Sequence, residues 1–149
     1  MKKIILNLFL ALTAVSFLAS CKDKDTPTDA SVANVPKVGQ EFIKQYFSDL
    51  TVLRVEKETG GGHNIHFTNG VEVDFDANGN WTEVSAGDNQ KLTNTRFIPE
   101  KIRNYLAQMY PNYPIHAIKK NAAGYQVELL NFGGEVTFDR DGNYLIVKD

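Results

Sequence analysis

Along this chain apolar residues recur with two different periods, and the switch between them marks out its elements. Val38, Phe42, Ile43 and Tyr46 fall at helical spacing, as do Ile102, Tyr105, Leu106 and Met109. Each set places an apolar stripe on one side of a short amphipathic helix. Pro36 and Pro99 suit the first helical position, where a missing N–H costs nothing. Pro111 and Pro114 end the second helix, because each disfavours helical geometry in the residue before it. After each helix the period drops to two. Ile65 and Phe67 oppose Asn64 and His66; Val71, Val73 and Phe75 oppose Glu72 and Asp74; Tyr125, Val127 and Leu129 oppose Gln126 and Glu128. Strands with one apolar and one polar face form a sheet covered on one side and solvated on the other.

Eight strands are expected: Thr51–Lys57, His63–Thr68, Val71–Asp76 and Asn80–Val84, then Ile115–Lys120, Tyr125–Leu130, Glu135–Asp139 and Asn143–Val147. Turn residues separate them, among them Asn69-Gly70, Asn78-Gly79 and Asp141-Gly142. Asn-Gly between alternating strands signals a hairpin, because both residues tolerate positive φ. The order of features after Val35-Pro36 returns after Ile98-Pro99 at an offset close to 63 residues. The chain therefore reads as α+β: two tandem helix-plus-four-strand repeats, residues 35–84 and 98–149, joined by a connector over residues 85–97. Their antiparallel sheet carries both helices on one face. Whether the sheets of the two repeats merge is not legible from sequence.

Before the first repeat stands a different kind of segment. Lys2 and Lys3 precede an apolar run, Ile4–Phe17, that is short for a bilayer span, and Leu18-Ala19-Ser20-Cys21 follows. This resembles the lipobox of bacterial lipoproteins. It implies that residues 1–20 are a signal peptide and that Cys21 is the lipidation site, anchoring an outer membrane lipoprotein on the periplasmic side or at the cell surface. Residues 21–34 are then the lipidated cysteine and a polar, flexible tether. Lys22-Asp23-Lys24-Asp25 resembles the surface-export signal of some Gram-negative lipoproteins, and it would equally serve as a solvated linker. Cys21 is the only cysteine, so no disulfide forms within the chain.

Charge narrows the partners. The chain has 16 basic and 18 acidic residues, and loss of Lys2 and Lys3 with the signal leaves a net charge of −4. No basic stripe attracts phosphates, so nucleic acid is not an expected partner.

Each repeat ends in Phe-Asp-x-x-Gly-Asn-aromatic: Phe75 to Trp81, and Phe138 to Tyr144. With the lipobox and the repeat order, this resembles the PepSY-like family of exported bacterial proteins with a β-lactamase-inhibitor-like fold. The resemblance spans nearly all of Val35 to Asp149. It implies a binding or inhibitory role, and no inhibitory residue carries over. The founding inhibitors of that fold use disulfides, which this domain lacks.

No enzyme chemistry emerges. Ser31, Ser48 and Ser85 lie in the tether, at a helix end and in the connector, none in a nucleophile elbow or beside a histidine. The Asp-x-Asn/Asp-Gly-Asn turns have glycine fourth, where an EF-hand loop needs it sixth. His63 and His66, three apart on a strand, face opposite ways and cannot share a metal. No cofactor and no metal site is expected. The remaining candidates are Trp81 and Tyr144, equivalent positions in the last strand of each repeat. If Val84 and Val147 face the core, a separation of three residues puts both aromatics on the open face, beside His66, Glu72, Asp74 and Glu128. Packing at a sheet edge or on the helices is the alternative for the two rings. The expectation is a non-catalytic envelope protein that binds a protein partner, possible targets being a protease or other hydrolase. A structural or accessory role and a small-ligand or ion sensor are the alternatives.

Overall fold

The structure, a computed structural model, describes residues 31–149; the expected signal peptide, Cys21 and most of the expected tether lie outside the described residues. Two helices, α1 (Lys37–Tyr46) and α2 (Glu100–Met109), each precede four strands. The first four are β1 (Val52–Lys57), β2 (His63–Phe67), β3 (Glu72–Phe75) and β4 (Trp81–Ser85). The second four are β5 (Ile115–Lys120), β6 (Gly124–Leu129), β7 (Glu135–Asp139) and β8 (Tyr144–Lys148). All eight form one sheet in chain order, each strand antiparallel to its neighbours. The two groups of four merge through β4 and β5, where Glu83 faces Lys119, Val84 faces Ile118 and Ser85 faces Ala117.

Both helices begin one residue later than their prolines suggested. Pro36 (φ −53°, ψ 148°) and Pro99 (φ −49°, ψ 134°) are N-cap residues in extended geometry. The ring still pre-sets φ for helix entry. Two expected stripe residues are exposed: Val38 at 55% and Met109 at 60%. The buried line along α1 runs instead through Val35, Gly39, Ile43 and Phe47, and that along α2 through Ile98, Ile102 and Leu106. These residues recur every fourth position, so Val38 and Met109 fall beside the buried line.

One hydrophobic cluster contains Ile43 and Phe47 together with Ile65, Val73, Phe75, Val84, Ile118, Val127, Val136 and Phe138, and with Ile102 and Leu106 of α2. Ring contacts carry the helices onto the sheet: Phe42 to Phe75 at 5.8 Å, Phe47 to Phe67 at 5.8 Å, Tyr105 to Phe138 at 5.5 Å.

Two segments expected to be linkers are built into this core. Val32–Asn34 is a 3-10 turn capped by Ser31, and Val32, partly buried, packs against the core. In the connector, Leu92 and Phe97 are buried, and the backbone N–H groups of Ala86 and Leu92 donate to the carbonyls of His116 and Ile115. Four single-residue bulges interrupt the ladders, leaving Leu53, Thr82, His116 and Leu145 without a paired partner.

Candidate functional site

The bulges decide which side chains reach the open face. In an unbroken strand, residues three apart point to opposite sides. A bulge adds one residue and restores the original side. Thr82 is that residue in β4, so Trp81 shares its side with Val84, the core side. Leu145 does the same for Tyr144 and Val147 in β8. Trp81 and Tyr144 are thus on the core side and not on the open face; of the two readings left open for these rings, packing on the helices is the one observed. Trp81 stacks on Phe42 at 6.0 Å and meets Phe97 edge-on at 5.5 Å. Lys120 Nζ sits 5.3 Å above its ring. Tyr144 stacks on Tyr105 of α2 at 4.9 Å.

His66, Glu72, Asp74 and Glu128 lie on the other side, with Arg54, Glu56, Asn64, Glu83 and Lys119 beside them in the register. His63, by contrast, is buried with the core, and its Nδ1 has no hydrogen-bond partner among the described residues.

A polar network crosses β1, β2 and β3. His66 Nδ1 lies 2.8 Å from Glu72 Oε1, and Arg54 Nη2 lies 3.2 Å from His66 Nε2. A carboxylate can only accept, so neutral His66 carries its proton on Nδ1 and offers Nε2 to the guanidinium. Glu56 Oε2 stands 3.5 Å from the same Nε2. Arg54 Nε is 2.8 Å from Glu56 Oε1 but off the N–H direction, an ion pair without a directed hydrogen bond.

Asp74 is the electrostatic centre of the neighbouring strand. Burial pushes its carboxyl from 3.8 to about 6, and Glu83, Glu58 and Glu72 push the same way; the amide of Asn64, which donates to it, opposes them. The Asn64 Oδ1 is buried and has no hydrogen-bond partner among the described residues. On the far side of Glu83, Lys119 Nζ reaches Glu83 at 3.3 Å and Glu128 at 3.9 Å. Glu83 is the main cause that raises the Lys119 ammonium above its ordinary value.

Between these groups lies a depression of about 420 Å³. Glu72, Glu83 and Glu128 line it from the sheet, Asp88 from the connector, and His116 and Ala117 from β5. His116 is fixed by a 2.7 Å contact between Nδ1 and the Gln90 carbonyl. The site brings together Glu72 and Glu128 of the expected set. It adds Glu83, Asp88 and Lys119, which sequence reasoning did not single out. Their signal was present only as polar parity along β4 and β5, and the β4–β5 register that joins them was not legible.

The two Asp-Gly-Asn turns stand apart from this face. Asp76 Oδ1 accepts from the backbone N–H of Asn78 (2.9 Å) and Asn80 (2.8 Å), and Oδ2 accepts from the Asn80 amide (3.0 Å). Asp139 repeats the pattern with Asp141 and Asn143. These hydrogen bonds, the Asn80 and Asn143 side chains first among them, hold both carboxyls below their ordinary value. Among the described residues no group of three or more His, Cys, Asp or Glu is arranged to hold a metal ion. No helix among them is long and apolar enough to cross a membrane.

Three solved structures share this architecture. A protein of unknown function from Bacteroides vulgatus, provisionally described as periplasmic, is 28% identical, with a TM-score of 0.71, over 82% of this chain and 98% of that one. A protein from Bacteroides thetaiotaomicron, provisionally described as calcium-regulated and periplasmic, is 31% identical, with a TM-score of 0.69, over 80% of this chain and 94% of its own. A second Bacteroides vulgatus protein, provisionally described as periplasmic, is 30% identical with a TM-score of 0.66, again over 80% and 94%. Comparison with curated proteins returns no matching sequence. The sequence profile of the family provisionally described as beta-lactamase-inhibitor-like, PepSY-like matches residues 61–146. With that match over more than half its length, and with relatives about 30% identical along most of theirs, the chain belongs to the PepSY-like, beta-lactamase-inhibitor-like family.

Proposed function

We propose that this chain is a non-catalytic envelope lipoprotein, anchored in the outer membrane through Cys21, whose open sheet face binds a protein partner. The observation that carries the reading is the acid-lined depression between Glu72, Glu83 and Glu128 on the polar face. Among the described residues its carboxylates outnumber the one ammonium, Lys119, that reaches them. A cationic side chain of a partner would complete the charge balance, and complementary charge favours both encounter and register. The periplasmic description of the related structures agrees with an envelope location. Inhibition of a protease or other hydrolase is the form of binding this reading favours.

The reading includes a repeated architecture, with both helices on one face. Bulged residues Leu53 and His116 are 63 apart, as are Thr82 and Leu145. Ring contacts from α1, from its C-cap Phe47 and from α2 go to Phe75, Phe67 and Phe138, whose neighbours Asp74, His66 and Thr137 take the opposite side.

The test is cross-linked affinity capture from envelope extract with the chain from Lys22 onward, beside a Glu72→Lys/Glu128→Lys variant of equal thermal stability. One protein enriched by the first and lost by the second supports the reading. The same proteins recovered with both overturn the role of this face.

A second reading, ion sensing, is favoured by one observation: the Bacteroides thetaiotaomicron relative is provisionally described as calcium-regulated. In this chain the turns at Asp76 and Asp139 are where it would act.

A further inference from the structure

We propose that the groove between α2 and the connector is a binding site for a small organic anion with an apolar body. The groove is open to solvent along its length and has a volume of about 760 Å³, within the range of small-molecule sites. Its floor is apolar: Leu92 and Leu106 are buried there, and Ile115 is half-buried. Its wall is aromatic and held in place. Tyr110 and Tyr113 both meet Phe132 edge-on, with ring centroids 5.1 and 5.2 Å away. Rings fixed by such contacts form a surface that needs no rearrangement to receive a ligand.

Charge selects the ligand class. The groove is lined by two cations, Lys91 and Arg103, and by no carboxylate, in a chain where acids outnumber bases by 18 to 16. Arg103 is anchored through one nitrogen only: its Nε donates to the Ile98 carbonyl at 3.1 Å. Its two terminal nitrogens make no hydrogen bond or ion pair among the described residues, and Lys91 makes none either. A guanidinium fixed at Nε presents its remaining donors in a planar fork that matches carboxylate, sulfonate or phosphate oxygens. Two such cations without a protein counter-charge, above an apolar floor and beside two tyrosines, complement an anion carrying a hydrophobic group. Neutral apolar compounds would leave both cations unused. This site is separate from the open sheet face: none of the carboxylates proposed there lines the groove.

The experiment is a backbone amide NMR titration of the chain from Lys22 onward with indole-3-acetate, run beside its neutral twin indole-3-acetamide. A ligand of this size binds with Kd on the order of 1 mM. Shifts are expected at residues 91–95, 103–110 and 113–115, with the amide at least about fivefold weaker than the acid. Lys91→Gln and Arg103→Gln should each weaken the acid by about fivefold or more and leave the amide unchanged. Arg103→Lys should fall between wild type and Arg103→Gln, because it keeps the charge and loses the fork. Lys91 is exposed and makes no hydrogen bond or ion pair among the described residues, so its variant remains informative if Arg103→Gln proves unstable. Equal binding of acid and amide, shifts centred elsewhere, or no shifts up to about 10 mM would each overturn the proposal.

Discussion

The indole of Trp81 lies against the Phe42 ring of α1, with centroids 6.0 Å apart and planes 23° from parallel. Phe97 of the connector closes the same cluster from the edge. Trp81 is therefore a rivet between sheet, helix and connector, and its removal acts on stability. Complete truncation of a buried aromatic costs about 3–5 kcal/mol. Trp81 is only partly buried, so Trp81→Ala should cost about 2–3 kcal/mol in urea unfolding followed by circular dichroism. Tyr144, 41% exposed, should cost about 1 kcal/mol. Neither change should weaken a partner whose binding is lost on Glu72→Lys/Glu128→Lys. Equal loss of affinity from Trp81→Ala, at full folding, would return the aromatics to the interface.

The two readings left open for Trp81 show where sequence reading stops. Strict alternation located the strands, because Ile65, Phe67, Val73 and Phe75 do alternate and are buried. Alternation has no term for an inserted residue. A signal for the bulges was nevertheless present: Val52/Val55, Trp81/Val84, Ile115/Ile118 and Tyr144/Val147 are each apolar pairs three apart, one at every bulge. An apolar i, i+3 pair inside a strand contradicts period two unless one residue is looped out. The helices, the eight strands and the polar side of His66, Glu72, Asp74 and Glu128 needed only local pattern. The β4–β5 junction, and with it the acid-lined depression, depends on a long-range register for which no local pattern codes.

Asp74 gives a pH signature. Its carboxyl is raised to about 6 in the folded protein from 3.8, chiefly by burial. The native state thus binds more protons than the unfolded one between those values, and the Asp74 contribution to stability falls as pH rises through that window. Protonated Asp74 gains a second role, since its O–H can donate to the unpartnered Oδ1 of Asn64. Asp74→Asn supplies a permanent donor and removes the charge. It should raise stability by about 1 kcal/mol at pH 7.5, after discounting for solvent screening, and by almost nothing at pH 4. Thermal melts of both proteins across that range check it. A gain independent of pH would mean that the charge of Asp74 carries no penalty.

The turns at Asp76 and Asp139 titrate in the opposite sense. Both carboxyls are held below 3.8 by their own loops, so their contribution is fully present above that value and is lost as pH falls through the lower folded value. Asp76→Ala and Asp139→Ala should lower Tm at pH 7, and the difference from wild type should shrink toward pH 3. The same proteins test ion sensing. The hydrogen bonds to both carboxylates come from within their own turns, so millimolar calcium against chelator should leave the wild-type Tm unchanged. A ligand at 100 times its Kd stabilises by about 2.7 kcal/mol. A rise of that size, abolished by Asp76→Ala or Asp139→Ala, would favour the ion-sensing reading over the protein-binding one.

Gly39 poses a contest between two effects of known size. Glycine inside a helix costs about 1 kcal/mol relative to alanine, so propensity alone makes Gly39→Ala stabilising. A Cβ at this position would stand 2.7 Å from Val35 Cγ1 and 3.1 Å from Phe75 Cδ1. Val35 is 2% exposed, and a β-branched side chain has few rotamers into which it could retreat. Overpacking of this kind costs about 1–3 kcal/mol, so the clash should win and Gly39→Ala should destabilise by about 1 kcal/mol or more. Val35→Ala removes the atom in the way. The double variant Val35→Ala/Gly39→Ala should therefore lose less than the sum of the two singles, a coupling read by denaturant unfolding of all four proteins. Stabilisation by Gly39→Ala alone would mean that Val35 is not seated against α1. The segment from Ser31 to Val35 would then belong to the tether, and the domain would begin at the helix.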